Sequence, residues 1–177
     1  FHTQAPILKT IEESSGIRVK TSNVNAGTGV KAHRNFQWLN WAKGGVNQVV
    51  FGGTDVLTGP MGGCWIVNYK IAGIEYVGHV GTFMRPDSPE SIAAKGAWNH
   101  FANANPLQVL GGFKPGWIGN FPARIKGDLT TGQTMFGLVT QTEYYTVFAW
   151  RKDTRDGYRI AGIQRCVSSP LVTLQNI

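Results

Sequence analysis

The sequence predicts an α+β fold in which a β-sandwich forms the centre of a single domain and one or two helices pack outside it. Runs rich in β-branched and aromatic residues recur along the chain, as is typical of strands. The 23 glycines provide turns between these runs, and one segment carries the start signals of a helix. A chain of 177 residues can bury a hydrophobic core, so we expect residues 1–177 to form one domain.

The first quarter of the chain has the weakest signals. Residues 7–12 fit the start of a helix or an edge strand, whereas residues 16–31 are polar and contain several glycines, as loops do. Residues 35–42 are rich in aromatic side chains and fit a helix or a strand. Residues 48–51 predict a short apolar strand that ends at a pair of glycines.

A β-hairpin is predicted after Cys64, from two strand-like runs that flank Ala72 and Gly73. A turn on these two residues places Cys64 and His79 on the same face of the hairpin, on the diagonal, because side chains alternate with period two. If the turn lies one residue earlier, Cys64 and His79 are directly opposite. In either register we expect the sulfur and a ring nitrogen to lie within hydrogen-bond reach.

The one clear helix is predicted over residues 89–103. Ser88 is a favourable N-cap, Pro89 suits the first helical position, and Glu90 complements the positive end of the helix dipole. The later strand candidates share a high content of β-branched and aromatic residues: 134–140, 144–151, 157–167 and 171–174.

The composition limits the possible partners. The net charge is +7, but the basic residues are scattered along the chain, which argues against a nucleic-acid partner and favours a solvated positive surface. No apolar run has the length of a membrane span. The two cysteines, Cys64 and Cys166, form neither a disulfide framework nor a metal-binding spacing. We expect Cys166 to be a buried small residue in an apolar strand.

Cys64 has the surroundings of a nucleophile. Gly62 and Gly63 precede it in a glycine-rich turn that begins at Thr58, and their backbone N–H groups could form an oxyanion hole. His79 is the candidate base, and Thr58 offers a hydroxyl and a carbonyl that could hold the imidazole in one tautomer. The competing interpretation is that Cys64 is a small residue that packs beside a turn.

The order Thr58, Cys64, His79 resembles the cysteine deamidases of the cytotoxic necrotizing factor type, of Burkholderia lethal factor and of the bacterial chemotaxis-receptor deamidase. The spacing from cysteine to histidine is similar to the first branch, and the threonine is similar to the other two. The resemblance spans residues 56–82. This chain has Gly62 where the toxins have serine, in Ser-Gly-Cys.

The resemblance implies a β-sandwich in which Cys64 is the nucleophile, His79 the general base and acid, and Thr58 the orienting residue. The implied reaction is hydrolysis of a glutamine side chain of a protein through a thioester that is formed by a Cys64 thiolate, which His79 keeps ionised. This reaction needs no metal and no organic cofactor, and an amine in place of water would give transglutamination. The implied setting is a bacterial toxin or effector that is secreted and acts in the host cytoplasm.

Two further expectations concern the chain as a whole. Because it begins with Phe1 rather than methionine, we expect it to be a catalytic domain within a longer protein. Its positive charge suits a protein substrate that is acidic at the docking face.

The alternative to an enzyme is a basic β-sandwich module that binds glycan, nucleic acid or a protein partner. Trp38, Trp41 and Trp117 would then line a ligand surface. A papain-like hydrolase fits poorly, because its cysteine opens a helix whereas a β-prone run follows Cys64. Fast alkylation of Cys64 at neutral pH is expected of an activated thiol and not of a packed one.

Overall fold

The computed structural model describes residues 1–3, 8–9, 36–83, 85, 87–116, 133–150, 159–170 and 174. Within these ranges the strands, in chain order, are β1 (His2–Thr3), β2 (Leu8–Lys9), β3 (Phe36–Leu39), β4 (Val46–Val50), β5 (Val56–Met61), β6 (Trp65–Ile71), β7 (Ile74–Val80), β8 (Val109–Phe113), β9 (Gln133–Val139), β10 (Tyr144–Trp150) and β11 (Arg159–Cys166). The helix α1 (Pro89–Ala104) and a short 3₁₀ helix (Pro106–Gln108) lie between β7 and β8.

The strands form two sheets. The first sheet has the order β1-β4-β7-β6-β8, and the second has the order β11-β10-β9-β5-β3-β2. Neighbouring strands are antiparallel except in two pairs, β1 with β4 and β3 with β5. The predicted strands 48–51, 134–140, 144–151 and 157–167 are therefore present, with ends shifted by one or two residues.

The two sheets pack face to face over a buried apolar layer, as in a β-sandwich. Both sheets contribute side chains to this layer: Leu39, Val49, Val56, Met61, Cys64, Ile66, Val77, Phe113 and Val139. This confirms the predicted α+β fold centred on a sandwich. It also places the candidate nucleophile in the interior of the domain.

Helix α1 covers the outer face of the first sheet, opposite the inter-sheet layer. Its N-cap is Ser88, whose hydroxyl accepts a hydrogen bond from Ser91 N at 3.2 Å, as the sequence predicts. The buried face carries Ala94 and Ala102, which allow close approach, and Trp98, whose ring lies 5.2 Å from that of Tyr69. In the described part of the chain, no helix has both the length and the apolar character that a membrane crossing needs.

The hairpin has the first of the two predicted registers. Ile71 pairs with Ile74 across Ala72 and Gly73, and these two turn residues have φ of 50° and 81°. Positive φ at both positions is the type I′ geometry, whose twist matches that of the flanking strands. His79 therefore pairs with Ile66. Cys64 lies two residues before Ile66 on the same strand face, so its side chain is diagonal to that of His79 on one face of the hairpin.

The prediction for residues 58–61 was wrong. They do not belong to a glycine-rich turn but to β5, which pairs with β3 and β9 in the second sheet. Val56 and Met61 are buried between the sheets, so burial of this segment determines its extended conformation, although Gly59 and Pro60 favour a turn locally. The turn is confined to residues 62–63, where the chain crosses from the second sheet to the first. The predicted loop over residues 16–31 lies outside the described residues.

Candidate functional site

The structure places Thr58 on β5 of the second sheet, Cys64 at the start of β6 and His79 near the end of β7 in the first sheet. All three side chains point into the layer between the sheets. The exposed fraction is 0% for Thr58, 4% for Cys64 and 0% for His79. Because the chain crosses between the sheets at residues 62–63, Thr58 of the second sheet lies next to His79 of the first.

Thr58 and His79 are joined by a short hydrogen bond between Thr58 Oγ1 and His79 Nδ1, at 2.6 Å. Thr58 Oγ1 also lies 2.7 Å from the carbonyl oxygen of Leu39. A carbonyl can only accept, so the single hydroxyl proton goes to Leu39 and the hydroxyl oxygen must accept from the ring. His79 therefore carries its proton on Nδ1. The hydroxyl of Thr58 is the group that fixes this tautomer.

The other ring nitrogen, His79 Nε2, carries the lone pair and is buried. It has no hydrogen-bond partner among the described residues. Buried polar atoms are nearly always paired in folded proteins, and one that is not calls for a physical or functional explanation. Here the unpaired atom is a proton acceptor in the same layer as a thiol.

The thiol of Cys64 donates to the carbonyl oxygen of Thr82, with Sγ 3.0 Å from that oxygen. It makes no hydrogen bond to His79, since Nε2 is unpaired. The expected thiol–imidazole hydrogen bond is thus not formed in this structure. The thiol donates to Thr82 O instead, although the side chains of Cys64 and His79 share one face of the hairpin.

Burial favours the neutral form of both groups. It lowers the pKa of His79 from 6.5 to about 3 and raises the pKa of Cys64 above its ordinary value. Hydrogen bonds with Thr82 and with the backbone of Gly63, together with the charge of Lys114, act against the rise at Cys64 but do not reverse it. The expectation of a preformed thiolate held by His79 is therefore wrong for this resting state.

The glycine turn lies beside the sulfur. Gly62 and Gly63 are half-buried, and the carbonyl oxygen of Gly63 accepts a hydrogen bond from Thr82 Oγ1 at 2.7 Å. Within the described part of the chain, the N–H groups of residues 62–64 donate to no backbone carbonyl. These amides are the candidate oxyanion donors, as the sequence predicts for Gly62 and Gly63.

Sequence reasoning missed three residues that shape the site. Thr82 contacts both the thiol and the glycine turn, and Leu39 contributes the carbonyl that directs the Thr58 proton. Asn47 pairs with His79 across the sheet, and its amide donates to the Asn40 carbonyl at 2.9 Å. Only Thr82, three residues after His79, lies near the motif in sequence. The other two depend on strand pairing that one sequence does not reveal.

Other predicted residues lie elsewhere. Cys166 is only half-buried because β11 is an edge strand, so the prediction of a buried Cys166 was wrong. Its sulfur lies 3.2 Å from Thr146 Oγ1. Trp38 is 7% exposed and donates to Asn40 Oδ1 at 2.7 Å, so it lines no ligand surface. Trp41 is 38% exposed. Trp117 lies outside the described residues.

A shallow concavity of about 550 Å³ lies at the end of the second sheet that carries the connection between β9 and β10, and it is lined in part by Asp55, Tyr145 and residues 140–143. None of the three candidate catalytic residues contributes to it. In the described ranges, no group of three or more His, Cys, Asp or Glu side chains could hold a metal ion.

Comparisons of this chain with protein families, with curated proteins and with solved structures give no match.

Proposed function

We propose that this protein is a cysteine-dependent amide hydrolase that deamidates glutamine side chains of a protein, with Cys64 as nucleophile, His79 as base and acid, and Thr58 as the orienting residue. The main support for the proposal is the hydrogen bonding of the two ring nitrogens of His79. Thr58 fixes the Nδ1–H tautomer, and the buried lone pair on Nε2 is left without a partner. A thiol lies on the same face of the same hairpin. A nucleophile, a base and a group that orients the base are the parts that acyl transfer needs.

The reaction begins from a neutral thiol and a neutral imidazole, because burial disfavours the ion pair. The Cys64 side chain leaves the Thr82 carbonyl and directs its S–H toward Nε2. As sulfur bonds to the carboxamide carbon, the thiol proton moves to Nε2 and the carbonyl oxygen becomes an oxyanion. Thr58 stabilises the imidazolium through the hydrogen bond from Nδ1–H, and backbone N–H groups of residues 62–64 stabilise the oxyanion.

Collapse of the tetrahedral intermediate breaks the carbon–nitrogen bond. Nε2–H gives its proton to the departing nitrogen, and ammonia leaves a thioester on Cys64. Nε2 then takes a proton from a water molecule whose oxygen attacks the thioester carbon. The carbon–sulfur bond breaks, Nε2 returns the proton to sulfur, and the product is a glutamate side chain. A primary amine in place of water would give a transglutamination product.

The burial of the site favours a side-chain amide over a main-chain peptide bond as substrate. Cys64 is 4% exposed and His79 is fully buried, so a folded backbone has no approach to the sulfur. A glutamine side chain is narrow and carries its amide at the tip. The half-buried turn at Gly62 and Gly63 has no side chains to block such an entry, although substrate binding must still displace the residues that cover Cys64.

The biological setting proposed for this activity is that of a bacterial toxin or effector that is secreted and acts in the host cytoplasm. It rests on the resemblance of the Thr58, Cys64, His79 pattern to toxin deamidases. The net charge of +7 supports a protein substrate with an acidic docking surface.

The test is incubation of the purified protein with host-cell lysate, followed by ammonia measurement and peptide mass spectrometry. The wild type should release ammonia and raise the mass of particular glutamine peptides by about one dalton, as expected for amide-to-acid conversion through a cysteine nucleophile. Cys64→Ser should lose both signals, while Cys166→Ser, at the half-exposed second cysteine, should keep them. Equal signals from wild type and Cys64→Ser would reject the assignment and favour the binding-module alternative.

A further inference from the structure

Residues 81–83 form a fixed segment that follows β7 and passes over Cys64. All three backbone N–H groups of the segment are hydrogen-bonded, each at 2.9 Å, to Gly45 O, Val80 O and Ser91 Oγ in turn. The segment is therefore tied to the loop before β4, to the end of β7 and to helix α1. A group on this segment has a defined position relative to the nucleophile.

Thr82 is the residue of this segment that faces the site, and it is 6% exposed. Its hydroxyl donates to the carbonyl of Gly63 at 2.7 Å, while its own carbonyl accepts from the thiol of Cys64 at 3.0 Å. Two hydrogen bonds in opposite directions thus connect one residue to the turn that precedes the nucleophile and to the nucleophile itself.

The first of these bonds sets the direction of a backbone N–H. The peptide unit between Gly63 and Cys64 is planar, and in a trans peptide the C=O and the N–H point to opposite sides. Because the Gly63 carbonyl is held toward Thr82, the Cys64 N–H points away from Thr82. Gly63 allows a wide range of backbone conformations at this peptide, and the hydrogen bond from the Thr82 hydroxyl favours one of them.

We propose that Thr82 is a positioning residue for the reaction inferred above: its hydroxyl aims the Cys64 N–H at the oxyanion, and its carbonyl holds the thiol in a resting position between turnovers. The proposal rests on the proposed deamidase function. The hydroxyl acts through the peptide and not on the substrate. Its loss should therefore weaken stabilisation of the transition state while leaving substrate binding in place.

Kinetics of three variants test this role against the wild type. Thr82→Val removes the hydroxyl at nearly constant volume, Thr82→Ser keeps it, and Thr134→Val makes the same change at a buried threonine (7% exposed) outside the site. Thr82→Val should lower kcat by about tenfold to a hundredfold with KM unchanged, somewhat less than the loss of an oxyanion donor itself. Thr82→Ser and Thr134→Val should keep kcat within about threefold of wild type, since neither removes a hydroxyl from the site.

A second readout does not depend on enzymatic activity. The rate of alkylation of Cys64 by iodoacetamide, followed by peptide mass spectrometry, reports how firmly the turn is held. Loss of one hydrogen bond should raise this rate about fivefold in Thr82→Val. Cys166 is the internal control in the same molecule, and its rate should not change.

The outcomes separate the proposals. Wild-type kcat in Thr82→Val, or an equal loss in Thr82→Ser, would overturn the positioning role. An unchanged Cys64 alkylation rate in Thr82→Val would overturn the hold on the turn. An inactive wild type would reject the deamidase function and with it the role of Thr82 in the reaction. Faster alkylation of Cys64 in Thr82→Val than in wild type would, in that case, still establish that the Thr82 hydroxyl holds the turn.

Discussion

The hydroxyl of Thr58 joins the two sheets of the sandwich through the ring of His79, with Oγ1 2.6 Å from Nδ1. Because the hydroxyl proton goes to Leu39 O at 2.7 Å, one tautomer of the histidine is imposed by backbone and side chain together. The ring cannot rotate without breaking a buried hydrogen bond. The lone pair on Nε2 therefore has a fixed direction, which the proposed role of His79 as a base requires.

The first prediction concerns this hydroxyl. Thr58→Ala should lower kcat about tenfold to a hundredfold, as for the loss of a hydrogen bond that orients a functional imidazole, and Thr58→Ser should restore most of the rate. The alanine variant should also lose about 1–3 kcal/mol of unfolding free energy, because His79 Nδ1–H is left buried and unpaired. Steady-state kinetics and urea denaturation measure the two effects. A Thr58→Ala variant as active as wild type would remove Thr58 from the proposed mechanism.

The hairpin and the helix could be predicted from the sequence because their signals are local. Ala72 and Gly73 mark the turn, and Ser88, Pro89 and Glu90 mark the start of α1. The same register argument placed Cys64 and His79 on one face, as the structure shows.

The strand β5 could not be predicted, because its conformation depends on pairing with β3 and β9 far along the chain. Gly59 and Pro60 indicate a turn when only neighbours are considered, and burial of Val56 and Met61 outweighs that local preference. The position of Thr82 above the thiol likewise follows from tertiary packing. The sequence therefore indicated that Cys64 and His79 share one face and that Thr58 contacts the imidazole. It did not indicate which acceptor the thiol would bond to or how deeply the site would be buried.

A second prediction concerns stability in acid. Burial lowers the pKa of His79 from 6.5 to about 3, so between these values the unfolded chain binds a proton that the folded protein does not. Stability should therefore fall as pH decreases from about 6.5 toward 3, by up to about 1.4 kcal/mol per pH unit from this residue. Urea denaturation across this range measures the slope.

Matched variants assign that slope to one residue. His79→Gln should reduce the slope of unfolding free energy against pH by up to about 1.4 kcal/mol per pH unit, the contribution of one bound proton. His100→Gln, at an exposed position of α1, should leave the slope as in wild type. An identical slope in wild type and His79→Gln would show that His79 does not resist protonation in the folded state.

The third prediction concerns the reactivity of the thiol. Cys64 is 4% exposed with a raised pKa, whereas Cys166 is half-buried. In the folded protein at neutral pH, iodoacetamide should therefore modify Cys166 at least about tenfold faster than Cys64, because the thiolate is the reactive form and burial disfavours it. In strong denaturant the two rates should converge.

This expectation replaces the one drawn from sequence, in which an active nucleophile alkylates quickly. The resting protein protects the thiol, and reactivity should rise only when substrate or denaturant opens the site. Peptide mapping over time gives both rates in one sample. Faster modification of Cys64 than of Cys166 in the folded protein would contradict the closed geometry.

The last prediction compares two glycines, because the segment over Cys64 has room for no side chain at Gly81. A Cβ there would lie 1.8 Å from the carbonyl oxygen of Ala42, whereas a Cβ at Gly96 on α1 would meet nothing within 4 Å. Gly81→Ala must displace backbone on both sides and should cost about 1–3 kcal/mol of unfolding free energy, as overpacking does. Gly96→Ala should instead add about 1 kcal/mol, since alanine favours a helix over glycine. Urea denaturation of the two variants should therefore give shifts of opposite sign, and a Gly81→Ala protein as stable as wild type would mean that residues 81–83 are not held against the loop at Ala42.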